Sequence, residues 1–135
     1  GAVAATDSNV LISECTFQDN YAFSSPAALT LNGSIASVVG STFDGNFADF
    51  GRGGGSIGAM GGSLTMVDCL VARSFTRKAP AGGGVDWEAG TLLISDSAFI
   101  GNRASSFPNG GIGGALRVLA SNAEVSRCTF ENNEA

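Results

Sequence analysis

Apolar residues recur along this chain with two interleaved periods. Over short distances they alternate with polar ones: Leu116 and Val118 flank Arg117, and Ala123 and Val125 flank Glu124. A period of two puts successive side chains on opposite faces and predicts strands, not helices. Over longer distances the short pattern returns in five copies. One apolar anchor falls at Val3, Leu29, Ile57, Val85 and Leu116, and a second at Phe17, Phe43, Val71, Phe99 and Phe130. The two anchors stand 14 residues apart in every copy, whereas successive copies are offset by 26, 28, 28 and 31 residues. All variation in length therefore falls after the second anchor. A repeat of this size marks a solenoid, whose units cannot bury an apolar face alone and stack on their neighbours.

The columns between the anchors agree. Val10, Ala36, Leu64, Leu92 and Ala123 form one inward column, and Ile12, Val38, Met66, Ile94 and Val125 the next. Two or three short strands per copy, with like residues stacking coil on coil, predict an all-β chain folded as a parallel β-helix. Parallel strands joined by crossovers are expected to wind right-handed. Residues 1–135 then form a single β-helix segment of about five coils, approximately 1–26, 27–54, 55–82, 83–113 and 114–135. At the usual strand spacing such a rod is about 24 Å long.

Two further columns have a structural reading. Gly1, Gly55, Gly83 and Gly114 precede the first strand, and the next position is always small: Ala2, Ala28, Ser56, Gly84, Ala115. A tight bend with no room for a larger Cβ accounts for both. A phosphate cradle would instead need a strand-to-helix junction, and no helical pattern is visible. Three residues after the second anchor stand Asn20, Asn46, Ser74, Asn102 and Asn133. An Asn at a bend tolerates the left-handed region and bonds local backbone, and stacked amides can bond one another. Asn20, Asn46, Asn102 and Asn133 are thus expected to form a structural ladder beside the stacked Phe17, Phe43, Phe99 and Phe130.

Those residues carry a resemblance. Phe17-Gln18-Asp19-Asn20, Phe43-Asp44-Gly45-Asn46, Phe99-Ile100-Gly101-Asn102 and Phe130-Glu131-Asn132-Asn133 fit an F-x-x-N motif, and Gly113-Gly114-Ala115-Leu116 fits its partner, G-G-A followed by Ile, Leu or Val. Together they resemble the repeats of the chlamydial-type polymorphic outer membrane proteins. The third copy departs, with Val71 and Ser74, and the first copies carry Ala in place of the Gly-Gly-Ala form. The resemblance covers all five copies and implies a right-handed β-helix with a surface or adhesive role. It transfers no catalytic residue, and with no β-barrel segment in the chain it carries over no outer-membrane anchoring.

Composition narrows the function classes. The formal charge of −5 argues against nucleic-acid binding through phosphates, and no apolar run is long enough to span a membrane. With no His, zinc sites of the usual kind and His-based triads are excluded, and no cofactor is expected. Cys15, Cys69 and Cys128 share one column on alternate coils, roughly 9.5 Å apart, too far for an intrachain disulfide. They are read as small fillers of a column, with bridging between chains as the alternative. The outward column before them reads Glu14, Gly40, Asp68, Asp96, Arg127. Asp68 and Asp96 on adjacent coils are the candidate carboxylate pair for acid–base work, against simple solvation at a bend. Asp86 and Glu88 flank Trp87, which faces inward, and both are expected to be exposed.

The variable segment after each F-x-x-N position holds Arg52, Arg77, Lys78 and Arg103, and the rings Tyr21, Phe23, Phe47, Phe50, Phe75 and Phe107. Arg77, Lys78, Arg103 and Phe107 define a possible binding arm for anionic glycan or a partner surface. The structural alternative turns some of these rings inward to finish the core. Neither end of the sequence reads as a polar cap, so further coils of the same chain, or other copies of it, are expected against both. The resulting expectation is a non-enzymatic segment of an extracellular or cell-surface β-solenoid, an adhesin stalk or an end-to-end stacking fibre subunit. The alternative is a β-helix that binds or cleaves carbohydrate.

Overall fold

The computed structural model describes residues 1–50, 53–78, 81–105 and 111–135. It is all-β, with no helix among those residues, and its strands form parallel sheets wound into a β-solenoid. The first sheet stacks Val3–Thr6, Leu29–Asn32, Ile57–Met60, Val85–Glu88 and Leu116–Leu119. The second stacks Asn9–Ser13, Ile35–Val39, Ser63–Val67, Thr91–Ser95 and Asn122–Ser126. The third stacks Thr16–Gln18, Thr42–Asp44, Leu70–Ala72, Ala98–Ile100 and Thr129–Glu131. A fourth, beyond the two or three expected, stacks Tyr21–Ala22, Phe47–Ala48, Phe75–Arg77 and Arg103–Ser105. Glu134 begins a fifth turn of that sheet by bridging to Arg103. The chain therefore makes four full turns and most of a fifth.

Register follows the repeat. Val3 pairs Leu29, Leu29 pairs Ile57, Ile57 pairs Val85 and Val85 pairs Leu116. The second anchors pair in the same way from Phe17 to Phe130. Leu29, Ile57, Val85, Phe43, Val71 and Phe99 have no solvent exposure. Stacked rings continue from coil to coil, Phe17 on Phe43 at 4.8 Å and Phe99 on Phe130 at 4.9 Å. Trp87 is fully buried between Ala59 and Val118 of its column, a large side chain accommodated by smaller neighbours above and below.

Left-handed backbone sets the two corners that flank the third sheet. Glu14, Gly40, Asp68, Asp96 and Arg127 all have φ between 51° and 57°. The residue just before each ladder position is also left-handed, with φ from 48° at Arg73 to 63° at Gly45. The strained conformation expected of the ladder Asn thus falls one residue earlier, where Asp, Gly and Asn dominate because they tolerate it best. The bend before the first strand needs its glycines for space. A Cβ on Gly83 would run into the carbonyl oxygen of Gly114 and the backbone of Arg103.

The Asn ladder forms. Oδ1 of Asn46 accepts from the backbone N–H and the Nδ2 of Asn20, at 3.1 and 2.9 Å. Asn133 does the same for Asn102, at 3.0 Å each. Each Nδ2 also reaches back to the anchor carbonyl of the coil before, Asn46 to Phe17, Asn102 to Val71 and Asn133 to Phe99. At Ser74, where the amide is missing, a second substitution closes the gap. Asn46 Nδ2 donates to Ser56 Oγ at 3.0 Å, and Ser56 and Ser74 share a hydrogen bond of 2.6 Å. Coils with Asn in the ladder have Ala or Gly facing it in the small column; the coil with Ser has Ser56.

Candidate functional site

The fourth sheet turns its rings outward. Its inward positions are Ala22, Ala48, Thr76 and Ala104, all buried and all small. Tyr21, Phe47, Phe75 and Arg103 form the outward column in register. Tyr21 is 58% exposed, Phe23 61% and Phe50 46%, which overturns the expectation that these rings complete the core. The reason lies in strand length. A strand of two or three residues offers one inward position, and Ala or Thr takes it.

The cations of the arm sit on these rings. Arg77 places its guanidinium carbon 5.3 Å from the Phe47 centroid, Lys78 its Nζ 4.4 Å from Phe50, and Arg103 its guanidinium carbon 5.7 Å from Phe75. Such contacts hold a cation over a ring without neutralising it. Arg77 is also tied down: its Nε and Nη2 donate to the two carboxylate oxygens of Asp49 at 2.7 and 2.8 Å. That pair holds the Asp49 carboxyl below its usual range and raises Arg77 further. Arg103 meets Glu134 at 3.4 Å with both side chains more than half exposed, a contact worth little in water. Lys78 is exposed, with no ion pair among the described residues. Three of the four arm residues therefore share one face. Phe107 lies outside the described residues, as does Arg52.

The candidate carboxylate pair fares differently. Asp68 and Asp96 do occupy one corner column and line a shallow open groove of about 510 Å³ with Ser97 and Arg127. Asp96, however, accepts from Nε and Nη2 of Arg127 at 2.6 and 2.7 Å. That hydrogen bonding lowers its pKa and engages both carboxylate oxygens with Arg127. Among the described residues no three His, Cys, Asp or Glu side chains come together to hold a metal.

Asp86 corrects a further expectation. It is 4% exposed, because the chain entering the first strand passes over the outside of that sheet. Pro26 and Gly53 crowd the outer side of Gly58, its neighbour in the column. There Asp86 accepts from Nη1 of Arg117 at 2.6 Å beside a cavity of about 80 Å³. Burial raises its pKa, with the Arg117 hydrogen bond opposing. Its partner Glu88 is only half-buried.

The three cysteines are free and share their column with Ser41 and Ser97, whose hydroxyls accept from the backbone N–H of Cys15 and Cys69 at 3.1 Å. Cys69 is buried, and burial pushes its thiol pKa up, which leaves it unreactive. Ser56 and the Asp86–Arg117 pair were the residues that sequence reasoning passed over. The signal for the first was present, since Ser56 is the one hydroxyl in a column otherwise Ala or Gly, in the same copy as Ser74.

Comparison with known protein families, curated proteins and solved structures finds no match to this chain.

Proposed function

We propose that this chain is a non-enzymatic structural segment of an extracellular or cell-surface β-solenoid, either an adhesin stalk or a subunit that stacks end to end. The observation that carries this reading is the state of the core columns at the two outermost coils. Val3 is 36% exposed while Leu29, Ile57 and Val85 of the same column are sealed. At the other end Val118 is 37%, Val125 40% and Phe130 47% exposed, beside strand edges with free backbone donors and acceptors. Parallel strands added in register extend both the hydrogen bonding and the apolar columns, whether they come from the same polypeptide or from another copy. The F-x-x-N and G-G-A-Leu repeats, similar to those of the polymorphic outer membrane proteins, support a surface setting.

Sedimentation velocity tests the open ends. The chain is expected to self-associate with increasing concentration, and Val125→Lys with Phe130→Asp is expected to leave it monomeric and folded. A chain that stays monomeric without those substitutions sinks the reading. The intact mass of the native material then separates the two forms: a mass near 13.5 kDa favours stacking subunits, a far larger one a continuous solenoid.

The runner-up, a carbohydrate-binding β-helix, is favoured by the exposed rings and cations of the fourth sheet. A polysaccharide-cleaving role would need Asp68 and Asp96 and is tested by turnover lost in Asp68→Asn or Asp96→Asn.

A further inference from the structure

We infer that the fourth sheet is a binding track for a linear anionic polysaccharide running parallel to the solenoid axis. The track has direction. Its first two coils present Tyr21, Phe23 and Phe50, and its next two present Lys78 and Arg103. Phe47 stacks on Phe75 and Lys78 lies over Phe50, whereas Tyr21, tilted 52° from Phe47, and Phe23, tilted 45° from Phe50, are the most exposed rings of the track. An open aromatic face suits the C–H face of a sugar ring, and the cations suit its carboxylate or sulfate groups.

Shape selects among occupants. The column from Tyr21 to Arg103 spans three strand spacings, about 14 Å, and the sheet is only two or three residues wide. Even with Phe23, Phe50 and Lys78, which flank its strands, the ribbon falls short of the roughly 800 Å² per partner of a stable protein interface. The cavities lined by Asp68 and Asp96, by Asp86 and Glu88, and by Glu124 and Arg127 all lie away from these rings. A narrow, open ribbon with one contact per coil fits a flexible chain of repeating units.

Charge sharpens the case. The protein carries −5 overall, which repels a polyanion in general. Attraction must then come from a local site, and Lys78 and Arg103 are cations whose charge is left largely free there. This deepens the adhesive side of the proposed function and rests on it for its setting, not for its geometry.

The test is affinity electrophoresis of the whole chain in gels containing polygalacturonate, heparin or neutral dextran. Retardation is expected with an anionic polymer and not with dextran, and whichever of the two anionic gels retards it names the acid group. Lys78→Glu with Arg103→Glu is expected to weaken retention at least tenfold, and Tyr21→Ala with Phe23→Ala to weaken it severalfold. All four side chains are exposed, so far-UV circular dichroism should stay unchanged. No retardation in any gel overturns the track, as does equal retardation in dextran. Retention lost in the charge variant but unaltered in the ring variant also overturns it, since diffuse attraction alone would explain that result. The variant carrying Val125→Lys and Phe130→Asp keeps its retention if the track stands, even where self-association is gone.

Discussion

Ser56 and Ser74 should be energetically coupled, and the structure sets the sign. The Ser56 hydroxyl accepts from Asn46 Nδ2 and bonds Ser74 Oγ, which in turn donates to the carbonyl of Ala72 at 3.2 Å. Ser56→Ala removes the acceptor of a buried amide hydrogen and is expected to cost about 1–3 kcal/mol. Ser74→Asn alone supplies the missing ladder amide, but pushes it into the 2.6 Å gap between the hydroxyls, an overpacking cost also of about 1–3 kcal/mol. Together the two changes recreate the pairing of Asn with Ala found in other coils. Asn46 then regains a ladder partner, and Asn102 Oδ1, which now accepts from Ser74 N–H alone, gains a second donor. The double variant should sit near the parent, so the coupling equals the sum of the two single losses, about 2–6 kcal/mol; a single loss of about 2 kcal/mol corresponds to roughly 7 °C in Tm for a chain of this length. Thermal unfolding of the four proteins followed by circular dichroism measures it. Additive losses, with the double variant worse than either single, would refute the compensation.

The buried Asp86–Arg117 pair should break asymmetrically: Arg117→Met is expected to cost about 3–5 kcal/mol by stranding a carboxylate, while the paired change Asp86→Leu with Arg117→Met is expected to be near neutral in urea unfolding. Because burial raises the Asp86 pKa above 3.8, the native state holds that proton more tightly than the unfolded chain. Its contribution is fully present below pH 3.8 and lost as pH rises through the raised value, so Tm profiles of the parent and Asp86→Asn should diverge across that window; parallel profiles would count against the buried carboxylate. Asp96 has the opposite sign: its pKa is lowered by Arg127, so its contribution is present above pH 3.8 and fades as pH falls through the folded value. In native protein a maleimide should label Cys15 rapidly and Cys69 only on unfolding; equal rates would place the column wrongly. Trp87→Ala should cost about 3–5 kcal/mol, read by denaturant midpoint.

The repeat made most of the fold legible. Val3, Leu29, Ile57, Val85 and Leu116 share a column because parallel stacking converts a sequence period directly into register. The fourth sheet was not legible, since Tyr21–Ala22 and Phe47–Ala48 are too short to show an alternation. Ring orientation was hidden for the same reason. Composition alone cannot say whether Phe23 fills a core or stands in water, and here the small inward Ala22 decides it. Asp86 alternates like any outward residue; its burial comes from chain passing over the sheet, a tertiary contact with no local trace. The departure at Ser74 shows only as a gap in the F-x-x-N motif until Ser56 is seen to complete it.

The ion pairs are unevenly spread along the rod. Among the described residues, Asp86–Arg117, Asp96–Arg127 and Arg103–Glu134 all clasp the fifth coil to the fourth, and two more join the second coil to the third. The first coil is held to the second by backbone ladders, the Phe17–Phe43 stack and the Asn20–Asn46 bonds, without a charge across the seam. Fraying of the isolated segment is therefore expected to start at the Gly1 end, read as faster amide hydrogen exchange in the first coil than in the fifth. Salt, which screens only the exposed clasps, narrows the difference between the two ends without abolishing it.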